Sequence, residues 1–144
     1  LPNEVEQVEY FGYGPNESYM DKRRSSWLSR FDSTVSALHE NYLKPQENGS
    51  HFGCRYALLS DGETALFVSS PDTFSFNASH YTQEELGGKR HAYELEESGH
   101  TVCCLDYKQY GIGSNSCGPI TLQQYRFEEL AFTFHLELAP IKLK

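Results

Sequence analysis

Apolar and polar positions alternate along much of this chain, and alternation with a period of two predicts strands rather than helices. Val8 and Tyr10 share one side of Glu4–Phe11 with Glu9 between them, which reads as a strand. That run ends in Phe11-Gly12-Tyr13-Gly14-Pro15-Asn16-Glu17-Ser18, where Gly, Pro and Asn together demand a structured turn. Trp27–Leu38 fits two periods at once. Trp27, Leu28, Phe31, Val35 and Leu38 make a helical face, while Phe31, Ser33, Val35 and Ala37 make a strand face. The interspersed Ser and Thr weaken the helix, and period alone leaves the segment open. Lys44-Pro45-Gln46-Glu47-Asn48-Gly49 is the next interruption, with Asn-Gly as its turn signal.

Arg55–Leu59 and Ala65–Ser69 read as a hairpin around Ser60-Asp61-Gly62-Glu63. Phe74-Ser75-Phe76-Asn77 predicts a further strand, as do His100–Tyr107 and Ala131–Leu138. Thr82 with Glu85 forms a capping box that starts one helical turn, and Gly87-Gly88 stops it. Short strands, frequent turns and one brief helix predict an all-β fold, an antiparallel β-sandwich.

Length makes this one domain. At 144 residues the chain can bury roughly two-thirds of its unfolded surface, so a core forms without staples and a disordered chain is excluded. No apolar run approaches the roughly 20 residues of a membrane helix. The 12 Lys and Arg stand against 20 Asp and Glu, and a charge of −8 repels nucleic acid phosphates and anionic lipid. Lys22-Arg23-Arg24 is the one basic run, and its length suits a solvated loop. Aromatic residues reach 14%, more than charge or turns require, which points to sheet core first and to sugar stacking on loops second.

Candidate chemistry is sparse. Cys54, Cys103, Cys104 and Cys117 contain no Cys-x-x-Cys pair, and Cys103 and Cys104 would face opposite sides of a strand. Reduced thiols and a cytoplasmic setting follow, although Asn16, Asn48 and Asn77 head glycosylation tripeptides. The N-terminus shows no basic and apolar signal pattern. Six histidines are scattered without a metal-binding spacing, which predicts loop or surface positions and no metal site. Gly111-x-Gly113 precedes no helix, so it is no dinucleotide fingerprint. Nor does Gly113-Ser114-Asn115-Ser116-Cys117-Gly118 match a nucleophile elbow. Asp21, Asp32 and Glu47 sit in turn-rich stretches and could pair as acid and base only if the fold gathers them. The residues alone therefore give a β-sandwich without a self-contained catalytic constellation.

Four blocks nevertheless resemble a known family in its order. Gly12-Tyr13-Gly14-Pro15-Asn16-Glu17-Ser18-Tyr19-Met20-Asp21 resembles the Gly-x-Gly-Pro-x-Glu-x-Tyr-x-Asp block of the β-galactosidases of glycoside hydrolase family 2. Tyr42-Leu43-Lys44-Pro45-Gln46-Glu47-Asn48-Gly49, with Arg55 beyond it, is similar to the second block. Phe74–Ser79 with Tyr81–Leu86 is similar to the third, and Leu105-Asp106 with Gly111–Gly113 and Ser116–Pro119 to the fourth. These blocks belong to the family's C-terminal, small-chain domain.

The resemblance implies that residues 1–144 are a single unit, the C-terminal part of that domain, within a galactose-mutarotase-like supersandwich. It also implies that Trp27–Leu38 is extended. Family members are retaining glycosidases whose two catalytic glutamates lie on a barrel, so no residue of this chain inherits a catalytic role. The Mg and Na that the family often uses belong to that barrel, and no cofactor is expected here. The implied partners are the barrel and other domains of a homo-oligomeric parent, and a β-galactoside such as lactose. What the terminal domain lends the active site is a loop at its mouth, matched here by Gly113, Ser114, Asn115, Ser116 and Cys117. Cys117 occupies the position of a substrate-stacking tryptophan and offers far less area to a sugar; Tyr107 or Tyr110 would have to substitute. An independent carbohydrate-binding module is the other function class that the aromatic loops allow.

Overall fold

The computed structural model describes residues 1–110, 114 and 118–144. In chain order its strands are β1 (Gln7–Gly14), β2 (Trp27–Thr34), β3 (His51–Ser60), β4 (Thr64–Ser79), β5 (Val102–Asp106) and β6 (Glu137–Lys142), with one short helix, α1 (Gln83–Gly88). They form a single antiparallel sheet in the order β2-β1-β3-β4-β5, with β6 also paired to β4. This antiparallel, almost helix-free architecture is that of an all-β sandwich, as the alternation predicts. No helix among the described residues is long and apolar enough to cross a membrane.

Cross-strand registry explains the core. Val8 pairs with Leu59 and Leu59 with Leu66, while Tyr10 pairs with Ala57 and Ala57 with Val68. Because paired residues share a face, these rows put Val8, Tyr10, Ala57, Leu59 and Val68 on one buried side. Tyr10 is flanked there by Phe31 at 5.3 Å, Phe76 at 5.4 Å and the His51 ring at 4.3 Å between centroids. Each such apolar side chain, once removed from water, contributes about 1.5–3 kcal/mol. The opposite face carries a second ladder, Phe11 against Tyr56 at 6.4 Å and Tyr56 against Phe67 at 5.7 Å. It remains partly open to solvent, and Glu9 accepts from Arg30 and Tyr56 there, both at 2.8 Å.

Three segments depart from the sequence expectation. Trp27–Leu38 is extended only to Thr34; Val35 turns into the helical region and Ser36–Leu38 form a 3-10 turn. Val35 and Leu38 are thereby tucked into the core, so each period described one half of the segment. Ala65–Ser69 and Phe74–Asn77 are not separate strands but the two ends of β4. Pro71 is tolerated inside it because residues 70–73 have no register partner: β3 interrupts its pairing between Ser69 and Phe74, β6 leaves at Ser69, and β5 joins at Ser75. Finally, Ala131–Leu138 is a strand only from Glu137 onward. Its alternating Phe132 and Phe134 pack on Tyr107 instead, at 4.3 and 5.8 Å between ring centroids.

The helical turn is placed as expected, since Thr82 Oγ1 accepts from the Glu85 N–H at 3.1 Å. Glu85 does not complete a reciprocal box. Its carboxylate takes the Glu96 N–H at 2.8 Å and pairs with Lys89 at 3.2 Å.

Candidate functional site

The motif-rich turns converge on Glu17. It follows directly from β1 and is almost wholly buried, where an isolated carboxylate would be prohibitively costly. Its Oε2 accepts the Tyr19 hydroxyl at 3.1 Å and the Gly49 N–H at 3.0 Å. Its Oε1 accepts from Lys22 Nζ and the Tyr42 hydroxyl, and Lys22 also donates to Tyr42 Oη at 2.9 Å. Burial alone would raise this carboxyl, but hydrogen bonds from Lys22, Tyr42 and Gly49, with the Lys22 charge, outweigh it and hold it below the usual range. Gly49 is required at its position: with φ +71°, a Cβ would lie 2.4 Å from the Leu38 carbonyl oxygen.

Around this centre the chain is stitched by its own backbone. Ser18 N–H donates to the Ser50 carbonyl at 2.7 Å, and Ser18 Oγ accepts from the Phe52 N–H at 2.9 Å. Asn48 Oδ1 takes the Glu40 N–H at 2.8 Å, and its carbonyl takes Asn77 Nδ2 at 3.2 Å. The first three sequence blocks are thus one buried polar knot joining β1, β3 and β4. Its role is to fix the loops that leave it.

One of those loops reaches the predicted substrate-proximal segment. Met20, Asp21, Arg23 and Arg24 line a cleft of about 220 Å³ together with Ser114 and Thr121. Of the predicted loop, Ser114 alone is described and it lies in this cleft; Gly113, Asn115, Ser116 and Cys117 lie outside the described residues. The basic run is solvent-exposed at Arg23 and Arg24, as its length suggests, but it is not without contacts. Lys22 turns inward to Glu17, and the Arg23 guanidinium sits 5.5 Å from the Tyr13 ring and 5.2 Å from Phe52. Nothing in the sequence period points to this, because both contacts join loop to strand across the fold.

Other candidates are dispersed. Asp32 lies on exposed β2 beside Arg30 at 3.6 Å, Glu47 accepts from Gln83 at 3.0 Å, and Asp21 faces the cleft. Each carboxylate has its own surroundings, and no acid/base pair is assembled from them. Tyr107 cannot serve as a free sugar platform, because Phe132 lies parallel to its ring within 8° and Lys108 stands 4.7 Å over it. Its hydroxyl is committed to Glu129 at 2.8 Å. A wider open depression of about 680 Å³, bordered by His39, Tyr42, Tyr81, His91 and Tyr93, carries aromatic rings but no carboxylate.

The histidines are not uniformly peripheral. His51 is 1% exposed, and its Nδ1 donates to the Tyr13 carbonyl at 3.2 Å; burial drives its imidazole down to about 4. Among the described residues no group of three or more His, Cys, Asp or Glu side chains could hold a metal ion. Cys54, Cys103 and Cys104 are free thiols. Burial pushes Cys103 up to about 12 and Cys104 to about 11, so both stay protonated and unreactive near neutrality.

Comparison with known proteins matches residues 1–138 to the family described as the β-galactosidase small chain. A β-galactosidase of Actinobacillus pleuropneumoniae is 54% identical over 131 residues, covering 91% of this chain and 13% of that protein. One from Staphylococcus xylosus is 42% identical over 139 residues, covering 95% of the chain and 14% of its own length. A third, from an Arthrobacter species, is 35% identical over 144 residues and is likewise covered to 14%. The chain spans about one-seventh of the relatives that it matches.

Proposed function

The chain belongs to the β-galactosidase small-chain family, and on that premise we propose that it forms part of the terminal β-sandwich of an enzyme hydrolysing terminal β-D-galactosides such as lactose. In this reading the segment completes the rim of the active site and packs against the parent's other domains in the cytoplasm. The acid/base and nucleophilic carboxylates, with any Mg or Na, come from the barrel, and hydrolysis follows the retaining route. The single observation that carries the rim assignment is Ser114 facing the cleft lined by Met20, Asp21, Arg23 and Arg24, with the Glu17 knot fixing the opposite wall.

The experiment has two arms. Turnover of a chromogenic β-galactoside by the purified 144-residue chain would show that catalysis does not need the barrel; none is expected. In the full-length enzyme, Cys117→Trp restores a large stacking surface and should lower the KM for disaccharides more than it alters kcat. Unchanged kinetic constants would place the 113–117 loop away from the substrate. A saturable galactose site on the isolated chain would instead favour an independent binding module.

A further inference from the structure

The cleft between the Met20–Arg24 turn and Ser114 has a chemical character of its own. Its lining holds two guanidinium groups, Arg23 and Arg24, against one carboxylate, Asp21. This local cationic excess stands in a chain of net charge −8. Among the described residues Lys22, Arg30, Lys89, Lys108 and Arg126 are ion-paired, while Arg23 and Arg24 share with Lys44, Arg55, Arg90, Lys142 and Lys144 the lack of a carboxylate partner.

Arg23 is nevertheless held in place. Its guanidinium lies over Tyr13 and Phe52, whose rings are stacked 6.1 Å apart at 26°. Stacking fixes a guanidinium by its face and leaves its in-plane N–H donors unspent, the geometry in which arginine binds planar oxyanions side-on. The cleft also supplies hydroxyls. Thr121 Oγ1 is buried without a hydrogen-bond partner among the described residues, while Arg126 Nε fixes the Thr121 carbonyl at 2.6 Å. A buried hydroxyl without an acceptor is costly unless something in the cleft receives its proton. Ser114 provides a second hydroxyl in the lining.

We infer that this cleft is an oxyanion subsite and that the enzyme favours β-galactosides whose aglycone carries a carboxylate or phosphate. The inference rests on the reading above that the 113–117 loop borders the substrate. The Arg23 fork and Arg24 receive the anion, and the hydroxyls of Thr121 and Ser114 complete its shell. A volume of about 220 Å³ suits a charged group with its linking carbons rather than a second extended sugar chain.

The test uses the full-length enzyme at low ionic strength with two matched substrates, lactobionate and lactitol. Both join galactose to an open-chain six-carbon unit, and they differ in a carboxylate against a hydroxymethyl group. A charge-assisted contact predicts a KM roughly tenfold lower for lactobionate, a preference that salt erodes. In Arg23→Gln/Arg24→Gln the ratio of the two KM values should fall to about one. With Arg24→Lys, which keeps charge without the fork, it should recover in part.

Inorganic phosphate at matched ionic strength should raise the KM of lactobionate more than that of lactitol. A ratio near one in the unaltered enzyme, or a ratio that the double substitution leaves unchanged, overturns the inference. Phosphate inhibition of both sugars alike, with no lactobionate preference, would mean a site for free anions and not for the substrate, and overturns it too. No turnover of a chromogenic β-galactoside by the full-length enzyme removes the β-galactosidase reading and the subsite with it; turnover of that substrate without turnover of lactobionate, or with both disaccharides at equal KM, removes the subsite alone.

Discussion

Glu17 shows how one side chain can organise several loops. Its carboxylate is the acceptor for Lys22, Tyr19, Tyr42 and Gly49, the last of them 32 positions away in the chain. Removing it strands two buried donors at once, the Tyr19 hydroxyl and the Gly49 N–H, although half-buried Tyr42 and Lys22, whose side chain is 40% exposed, can rehydrate. Glu17→Ala should therefore cost about 3 kcal/mol, read as a lower urea midpoint at unchanged slope. Glu17→Gln should also destabilise, since its amide nitrogen must face a donor. A loss below about 1 kcal/mol for the alanine variant would mean that the knot is no more than a surface ion pair. Little of this was legible in the sequence. The Pro-x-Glu spacing marks a turn, but nothing local says that the glutamate turns inward. The burial of His51 was equally hidden, because its ring is enclosed by Tyr10 and Phe76 from other strands.

Among elements, β1 and β3 approach so closely that side-chain volume becomes limiting. A Cβ added at Gly12 would lie 2.4 Å from Cys54 Sγ and 3.2 Å from Cys54 Cα. The register of β3 on β4 slips on both sides of Cys54, and Gly53 accommodates the kink at φ +68°. Gly12→Ala should cost about 1–3 kcal/mol by overpacking. Adding Cys54→Ala should recover much of that loss, giving a coupling energy of about 1 kcal/mol or more in a double-mutant cycle of urea midpoints. Strict additivity would show that the strain lies in the backbone and not at the sulfur. The strands themselves were largely visible as alternation, and the hairpin and capping box follow local chemistry. What failed was the division of strands. Ala65–Ser69 and Phe74–Asn77 are the two ends of one β4, with Pro71 sitting where it needs no partner, and the Phe132–Phe134 alternation serves ring stacking on Tyr107. The candidate rim loop was visible only through family resemblance, since no period or spacing singles out Gly113–Cys117.

For the whole molecule, acid is the condition that the structure handles worst. Burial lowers the folded His51 imidazole to about 4 from the ordinary 6.5, with smaller opposing contributions from the Tyr13 carbonyl and Glu17. The unfolded chain thus takes up a proton that the folded one refuses, and stability falls as pH drops from about 6.5 towards 4. The full loss is about 3 kcal/mol. Half-buried His39 is also lowered by burial and adds in the same direction. Below 4.5 the sign stays the same, because the folded Glu17 and Glu6 carboxyls are held below that value and their stabilisation is lost as they protonate. Urea midpoints measured from pH 7 to 4 should decline, and His51→Gln should flatten most of that decline. A parallel decline in the variant would assign acid lability to other groups. The arrangement around β4 bears on how such a protein can change over time. β5 ends opposite Ser75 and β6 begins opposite Ser69, so the connection between them departs and returns along one edge of a single strand. Those points are about 20 Å apart by strand rise, a gap that about 30 connecting residues span with ample slack. Insertions and deletions within that stretch need not disturb a ladder rung, which leaves lineages free to vary its length and sequence while inheriting the same framework.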